Sequence, residues 1–352
     1  YASDVSEGKN NPVYRSHSYH TKVPHPAVMR YILHYTQPGD IVYDGFAGTG
    51  MTGVACQNLE NPDIDFRHKV EKEMKDLGFS KPKWGKRNAI NSDLSPYASL
   101  ISYDYNFPIN IDHFLNECQT ILNNLKNSCE KYYLTKHNEG YGTINYAVWS
   151  DILLCPNCSG ELNYWELAMS HEEKRILDEF DCPHCSSRLR KKECENLMVN
   201  VFDHSSNGIQ KIKKMVPVLY VYTYKKKRFH KEPDDHDQDL LNEINSMKFD
   251  SFIANNRMPA GDESRRNDKY GITHVNHFFT KRNNLVLAKL YELIQKSAYP
   301  QRTIFLLVDI LGRANLMNRI HVKNYFFGEE DGMQEVWPGH FMFRLFQWRH
   351  LF

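Results

Sequence analysis

Ile41-Val42-Tyr43-Asp44-Gly45-Phe46-Ala47-Gly48-Thr49-Gly50-Met51-Thr52-Gly53 is the stretch on which the reading of this chain turns. An apolar β-type run ends in Asp44, a glycine-rich turn follows, and Met51 to Leu59 has helical character. A strand that feeds a glycine turn and a helix N-terminus is a common way for an α/β protein to hold a nucleotide-like ligand. Glycine at 48 and 50 lets the backbone bend sharply and approach a ligand with no Cβ in the way. Gly48-x-Gly50-x-x-Gly53 formally fits the dinucleotide fingerprint, which also needs an acid ending a second strand about 20 residues on. Asp63 and Asp65 stand near that distance, but they follow Pro62 and no apolar run leads into them. A phosphate loop is excluded, because no Gly-Lys-Ser/Thr follows. Asp44 suits a cationic or hydroxyl-bearing ligand. Taken alone, the stretch also reads as a tight structural turn.

The rest of the chain narrows the choice. At 352 residues it is long enough for two or three domains. Lys plus Arg (44) nearly cancels Asp plus Glu (43), so any nucleic-acid surface must be a local patch. No run of 18 apolar residues exists, so no membrane span is expected. The first residues are polar and unlike a signal peptide. They lack an initiator Met, which reads as a trimmed or partial chain. Of eight cysteines, four form two Cys-x-x-Cys pairs. In a large chain without a signal peptide this implies a reduced, cytoplasmic setting and a metal site, not a disulfide framework.

In chain order, residues 1–21 read as an extended arm. Pro24 and Pro26 at one end and Pro38-Gly39 at the other bracket a short helix carrying Val28, Ile32, Leu33 and Tyr35. Residues 60–87 are charged, with helix expected over Glu71–Leu77. Asn88 to Pro96 reads as a second short strand ending in Asp93, so that the charged stretch is an insertion in the crossover. Asn110 or Asp112 caps an amphipathic helix with Phe114, Leu115, Cys118, Ile121, Leu122, Leu125 and Cys129 on one face, which makes Cys118 and Cys129 core residues. Tyr141–Leu154 reads as loop plus strand, and Arg190–Met215 as mixed. Val218–Tyr224 alternates as a half-buried strand. Lys225-Lys226-Lys227-Arg228 follows it, with Lys211, Lys213 and Lys214 nearby. Basic residues beside tyrosines suit nucleic acid, through phosphate contacts and base stacking. The structural reading, with the tyrosines packed on the core and the lysines at a solvated strand end, is preferred for the tyrosines. Glu232–Asp239 reads as loop then helix, Asn255–Tyr270 as a long loop, Val286–Ile294 as helix, and Thr303–Leu311 as strand or helix.

Cys155-Pro-Asn-Cys158 and Cys182-Pro-His-Cys185 are separated by 23 residues. Each turn aims two thiolates at one point, and two turns complete a tetrahedron, so the pattern predicts a zinc ion bound by Cys155, Cys158, Cys182 and Cys185. With all four positions cysteine, the metal has no open site and is structural. Asn163–Leu167 is expected to be a strand of the hairpin carrying the knuckles. His184 reads as a bystander, and Cys194 as a spare.

Several blocks occur in a fixed order: Ser18-Tyr-His-Thr-Lys-Val-Pro24, Pro38-Gly-Asp-Ile-Val42, Asp44 to Gly53, and Asn91-Ser-Asp-Leu-Ser-Pro96. Asn145-Tyr-x-Val-Trp-Ser-Asp151, Gly261 to Asp268, Gly271-Ile-Thr-His-Val275 and Phe278-Phe-Thr-Lys-Arg-Asn283 come after them. This set resembles the S-adenosylmethionine-dependent DNA methyltransferases that modify exocyclic amines, in particular the adenine-specific DNA methylases carrying a zinc ribbon. The resemblance implies an α/β, Rossmann-like methyltransferase fold with an inserted four-cysteine zinc ribbon. The division expected is 1–150 for the cofactor-binding part, 151–195 for the ribbon, and 196–352 for the remaining target-recognition region. It places Asp44, Phe46, Gly48 and Gly50 around the methionine part of S-adenosylmethionine. Asp93 falls at the ribose hydroxyls, Ser92 and Leu94 beside the adenine ring, and His20, Thr21 and Lys22 on the segment that closes over the cofactor. Arg265, Arg266, Lys281 and Arg282 lie in shared segments and are the candidate DNA contacts.

Two departures stand out. Gly45 occupies a position where the family usually has proline. The catalytic block, an Asp, Asn or Ser before Pro-Pro and an aromatic residue, is absent, since no Pro-Pro occurs in the chain. Ser95-Pro96-Tyr97 is superficially similar but follows the ribose-binding strand. The catalytic residues are therefore unassigned, and the expectation is a chain cut short before that block. The function expected is methyl transfer from S-adenosylmethionine to adenine N6 or cytosine N4 in double-stranded DNA, with a restriction or defence system as a possible partner. The alternatives are an RNA amine methyltransferase and a non-catalytic, zinc-dependent DNA-binding module with a vestigial cofactor fold.

Overall fold

The computed structural model describes residues 7, 11–17, 19, 21–248, 251–320, 322–327 and 344–347. The chain mixes helices and strands and divides into two compact units, Tyr1–Leu115 and Asn116–Phe352.

The first unit contains α1 (Pro12–Arg15), α2 (His25–Tyr35), β1 (Ile41–Asp44), α3 (Met51–Asn58), α4 (Ile64–Asp76), β2 (Asn88–Asn91) and α5 (Pro96–Asn106), and α6 (Ile111–Cys129) begins in it. The described part of the N-terminal arm is not extended throughout: Asn11 caps α1, and His17 Nδ1 lies 2.9 Å from the Tyr105 hydroxyl on α5. The proline-bracketed segment is α2, and buried Arg87 closes its C-terminal end by donating to the Thr36 hydroxyl (3.1 Å) and carbonyl (3.0 Å). β1 and β2 are parallel and in register from Ile41↔Asn88 to Asp44↔Asn91. The charged crossover holds more helix than expected, because Asp63 accepts hydrogen bonds from the Asp65 and Phe66 amides and starts α4 seven residues early. The two acids near the fingerprint distance are thus a helix cap and a first-turn residue. Helix α5 escaped the sequence reading, although Ser95 at its N-cap and Pro96 at its first position are ordinary start signals. Met29, Ile32 and Leu33 pack with Ala55, Cys56 and Leu59 and with Val70 and Met74, while Arg30 is buried against Glu73 (2.8 Å) and Glu7 (2.7 Å). One face of the strand pair rests against this core through Val42; on the other, Ile41, Tyr43 and Ile90 are exposed.

The second unit takes up α6, which buries Cys118, Ile121, Leu125 and Cys129 of the expected stripe but leaves Phe114 and Leu122 half-buried and Leu115 exposed, because the stripe meets the core only beyond the first two turns. It is built on β4 (Gly140–Leu154), one 15-residue strand where loop plus strand was expected. Residue 150, expected as a domain boundary, lies inside it. β3 (Leu134–His137) and β5 (Glu161–Asn163) pair antiparallel with its two ends. After α7 (Tyr164–Ala168) come two small hairpins, β6 (Met169–Ser170) with β7 (Arg175–Ile176) and β8 (Glu179–Asp181) with β9 (Arg188–Arg190). Residues Tyr164–Ala168 are therefore helix, not the strand expected there, and the ribbon strand ends at Asn163. β10 (Glu195–Asn196) returns to β4, and the mixed stretch resolves into the hairpin β11 (Met198–Asp203) and β12 (Gly208–Lys213). β13 (Met215–Tyr224) runs antiparallel along β4 and turns into β14 (Lys227–Lys231). The helices that follow are α8 (Asp235–Ser246), the one-turn α9 (Asp262–Arg265), α10 (Lys281–Gln295), α11 (Pro300–Leu311) and α12 (Val322–Phe327). Tyr220 and Tyr222 pack with α6 and α10 on one side of the β4–β13 pair, whereas Tyr146, Val148 and Val221 pack with the cysteine-bearing segment on the other. The tyrosine strand is thus core, as the structural reading held.

Candidate cofactor and metal sites

The glycine turn sits where the C-terminal ends of β1 and β2 meet, the place where parallel α/β sheets bind ligands. Asp44 accepts a hydrogen bond from the Phe46 amide (3.1 Å) and another from the Thr52 hydroxyl (2.6 Å), which ties the strand end to the first turn of α3. Asp93 accepts from the Gly48 amide (2.8 Å) and from the Ser95 amide (2.9 Å). Backbone bonds from Ala47 to Ser92 (3.0 Å) and from Ser92 to Asp44 (2.9 Å) zip the two strand ends together. Residues 49 apart in sequence therefore form one rim. Gly50 has φ +79°, and a Cβ on it would stand 2.3 Å from Ser102 Oγ, so glycine is required for backbone conformation and for α5 to pack against the turn. Phe46 and Leu94 flank the rim and are 87% and 93% exposed. Two large apolar side chains standing in water beside two carboxylates make a surface suited to an amphiphilic ligand with a flat ring and polar groups.

The preceding segment contributes less than expected. Thr21 is exposed, and Lys22 donates back to the His17 carbonyl (2.5 Å) and the Tyr14 carbonyl, with its ammonium over the Tyr14 ring. Burial pushes the Lys22 ammonium below its ordinary pKa. His20 lies outside the described residues.

The four knuckle cysteines come together. Their Sγ atoms all lie within 4.8 Å of one another, with Cys155–Cys185 and Cys158–Cys182 at 3.7 Å. The knuckles are duplicates: the Ser159 amide bonds to the Cys155 carbonyl and the Ser186 amide to the Cys182 carbonyl, both at 2.9 Å, and Ser159 and Ser186 both have positive φ. His184 is turned away, with Nε2 at 3.1 Å from the Glu161 carbonyl. Cys118 and Cys129 are buried in the core, where burial raises both thiols, Cys129 to about 11.

The four basic candidates are not one surface feature. Arg265 and Arg266 are exposed, Arg266 pairing with Glu263 (2.7 Å). Lys281 is half-buried and donates to the Asn245 carbonyl (2.6 Å). Arg282 is 6% exposed and lies over the rings of Tyr133 and Tyr220.

One polar network has no counterpart in the sequence reading. His277 Nδ1 accepts from the Thr273 (3.2 Å) and His274 (3.1 Å) amides, which leaves the proton on Nε2 facing Asp203 at 3.3 Å. Asp203 also accepts from the Ser205 amide (2.9 Å), and Asn276 donates to Ser205 Oγ (2.8 Å). This joins the β11–β12 turn to the loop before α10. The Gly271–Val275 block was visible as a motif, but nothing in sequence linked it to an aspartate 74 residues away from His277.

Among the described residues no helix is long and apolar enough to cross a membrane. No curated protein and no solved structure matches the chain. A family model described as DNA methylase matches residues 2–68, a span that contains β1, the glycine turn and α3. Residues 2–68 are therefore similar to DNA methylases.

Proposed function

We propose that the chain is the cofactor-binding and zinc-bearing part of a cytoplasmic S-adenosylmethionine-dependent DNA methyltransferase that acts on the exocyclic amine of adenine (N6) or cytosine (N4). The observation that carries the reading is the Gly48 amide bonded to Asp93 across the ends of two parallel strands, the first of which, with the glycine turn, lies in the span similar to DNA methylases. The donor set suits the cofactor. Asp44 is chemically matched to an ammonium, Asp93 to ribose hydroxyls, and the exposed side chains of Phe46 and Leu94 to an adenine ring. When bound, S-adenosylmethionine supplies an electrophilic methyl group. The residues named here bind and orient it, and none is assigned to the transfer step.

The cysteine cluster suits one structural zinc ion. Zn–S bonds of about 2.3 Å in a tetrahedron place sulfurs about 3.8 Å apart, and the two short Sγ–Sγ separations are 3.7 Å. A restriction or defence role remains part of the proposal through the methyltransferase reading alone.

Calorimetric titration with S-adenosylmethionine tests the site. Phe46→Ala removes an exposed ring, so it should leave the melting temperature unchanged while weakening binding about tenfold or more, the scale of a lost stacking contact. Asp44→Ala should abolish binding. Equal affinity in the wild type and both variants, or no binding to the folded, zinc-loaded wild type, would remove the cofactor site.

A further inference from the structure

The Lys225–Arg228 run is not a frayed strand end. β13 and β14 pair up to Tyr224↔Lys227, which leaves Lys225 and Lys226 as a two-residue turn. Both have positive φ, +45° and +65°, as a type I′ hairpin turn requires. Asparagine and glycine fill such positions at little cost, while lysine is disfavoured by its Cβ. A turn that keeps two consecutive lysines in the left-handed region holds charge at its tip against local preference, and such outliers concentrate at functional sites.

The tip is backed by packed rings and stands beside a second one. Tyr222 and Phe229 stack across the hairpin at 5.8 Å, and the His137 ring lies 4.3 Å from Tyr224 and 4.5 Å from Phe229. The Tyr224 hydroxyl donates to the Glu139 carbonyl (3.4 Å), which brings the β3–β4 turn alongside. Lys136 is exposed on β3, opposite Tyr141, whose ring is also exposed. The charges are barely used within the protein. Lys225 lies 3.5 Å from Glu139 with both side chains at least 70% exposed, a pair of small worth in water. Lys226 and Lys227 make no ion pair among the described residues. In a chain whose formal charge is +1, the turn carries Lys225, Lys226 and Lys227 with Glu139 facing it, while the acidic start of α8 lies beside β3, where Asp237 accepts from Thr135 (2.6 Å) and is paired with Lys231 (2.9 Å).

We propose that the β13–β14 turn grips the phosphate backbone of duplex DNA, with Lys225, Lys226 and Lys227 as the phosphate contacts and Tyr141 as the neighbouring aromatic. Charge complementarity selects a polyanion, and exposed point charges on a turn backed by packed rings suit sequence-independent backbone contact. The methyltransferase reading enters only in choosing duplex DNA as the polyanion.

The experiment is fluorescence anisotropy of a labelled mixed-sequence DNA duplex with the full zinc-loaded chain, across a salt series and without cofactor. The double variant Lys225→Asn/Lys226→Gly keeps the turn type and removes two charges. It should melt at or above the wild-type temperature, flatten the slope of log K against log salt by about 2, and lose at least about tenfold in affinity at low salt. Adding Lys227→Gln should flatten the slope by about 1 more. An unchanged slope and affinity in the folded variant, or no duplex binding by the wild type, overturns the proposal. Titration with S-adenosylmethionine is a separate readout. Cofactor binding with hairpin-independent DNA binding sinks this inference alone, and hairpin-dependent DNA binding without cofactor binding sinks only the enzyme reading.

Discussion

Asp203 shows what a single carboxylate does in this molecule. Burial works against its ionisation, but hydrogen bonds from the Ser205 side chain and amide, Ser206 and His277 outweigh that and hold the carboxyl well below the usual range. Burial likewise pushes the His277 imidazole down, and Asp203 restores only part of the shift. A depressed folded-state pKa means that the stabilisation is fully present above the unfolded-state value and is lost as pH falls below it. Urea unfolding of wild type and Asp203→Asn should therefore differ by about 1–3 kcal/mol near neutral pH, with the gap closing below about pH 4. A gap independent of pH would mean that the network does not depend on the ionised acid. The residue scale was also where sequence was most uneven. Gly48 and Gly50 announce a turn by their identity, whereas Asp63, set aside as a fingerprint acid for want of a strand before it, was not recognised as the helix cap it is.

Elements were legible where a period and its punctuation agreed. The stripe from Cys118 to Cys129 and the prolines flanking α2 predicted real helices, because burial of one face and the loss of a backbone donor are local consequences of sequence. The stretch Tyr164–Ala168 misled, because short apolar runs fit strand and helix alike, and here Trp165 and Ala168 are buried in the core beside the knuckles. The knuckles themselves are the strongest element-scale signal, and their merit can be measured. Cys158→Ser, at an exposed ligand position, should lower the zinc content from one per chain and the unfolding temperature of the second unit. Full zinc occupancy in the variant would show that the four thiols do not share one ion.

At the scale of the whole molecule, each of the two units has a hydrophobic core of its own. Differential scanning calorimetry should accordingly separate two responses. S-adenosylmethionine at about 100 times its Kd should stabilise the first unit by about 2.7 kcal/mol, and chelation of zinc should lower only the transition of the second. A single transition that moves as a whole with either treatment would mean that the units unfold together. The sequence by itself determined the strand–turn–helix at Ile41–Gly53, the gathering of four cysteine thiols and the amphipathic helices, since these depend on residue identity at short spacing. Only the tertiary structure decided that Asp93 bonds the Gly48 amide, that β4 runs unbroken through residue 150, that Arg282 is buried while Lys225–Lys227 stand clear, and that Asp203 meets His277. Each of these depends on which distant backbone segments pair, and strand pairing across tens of residues leaves no local mark in the chain.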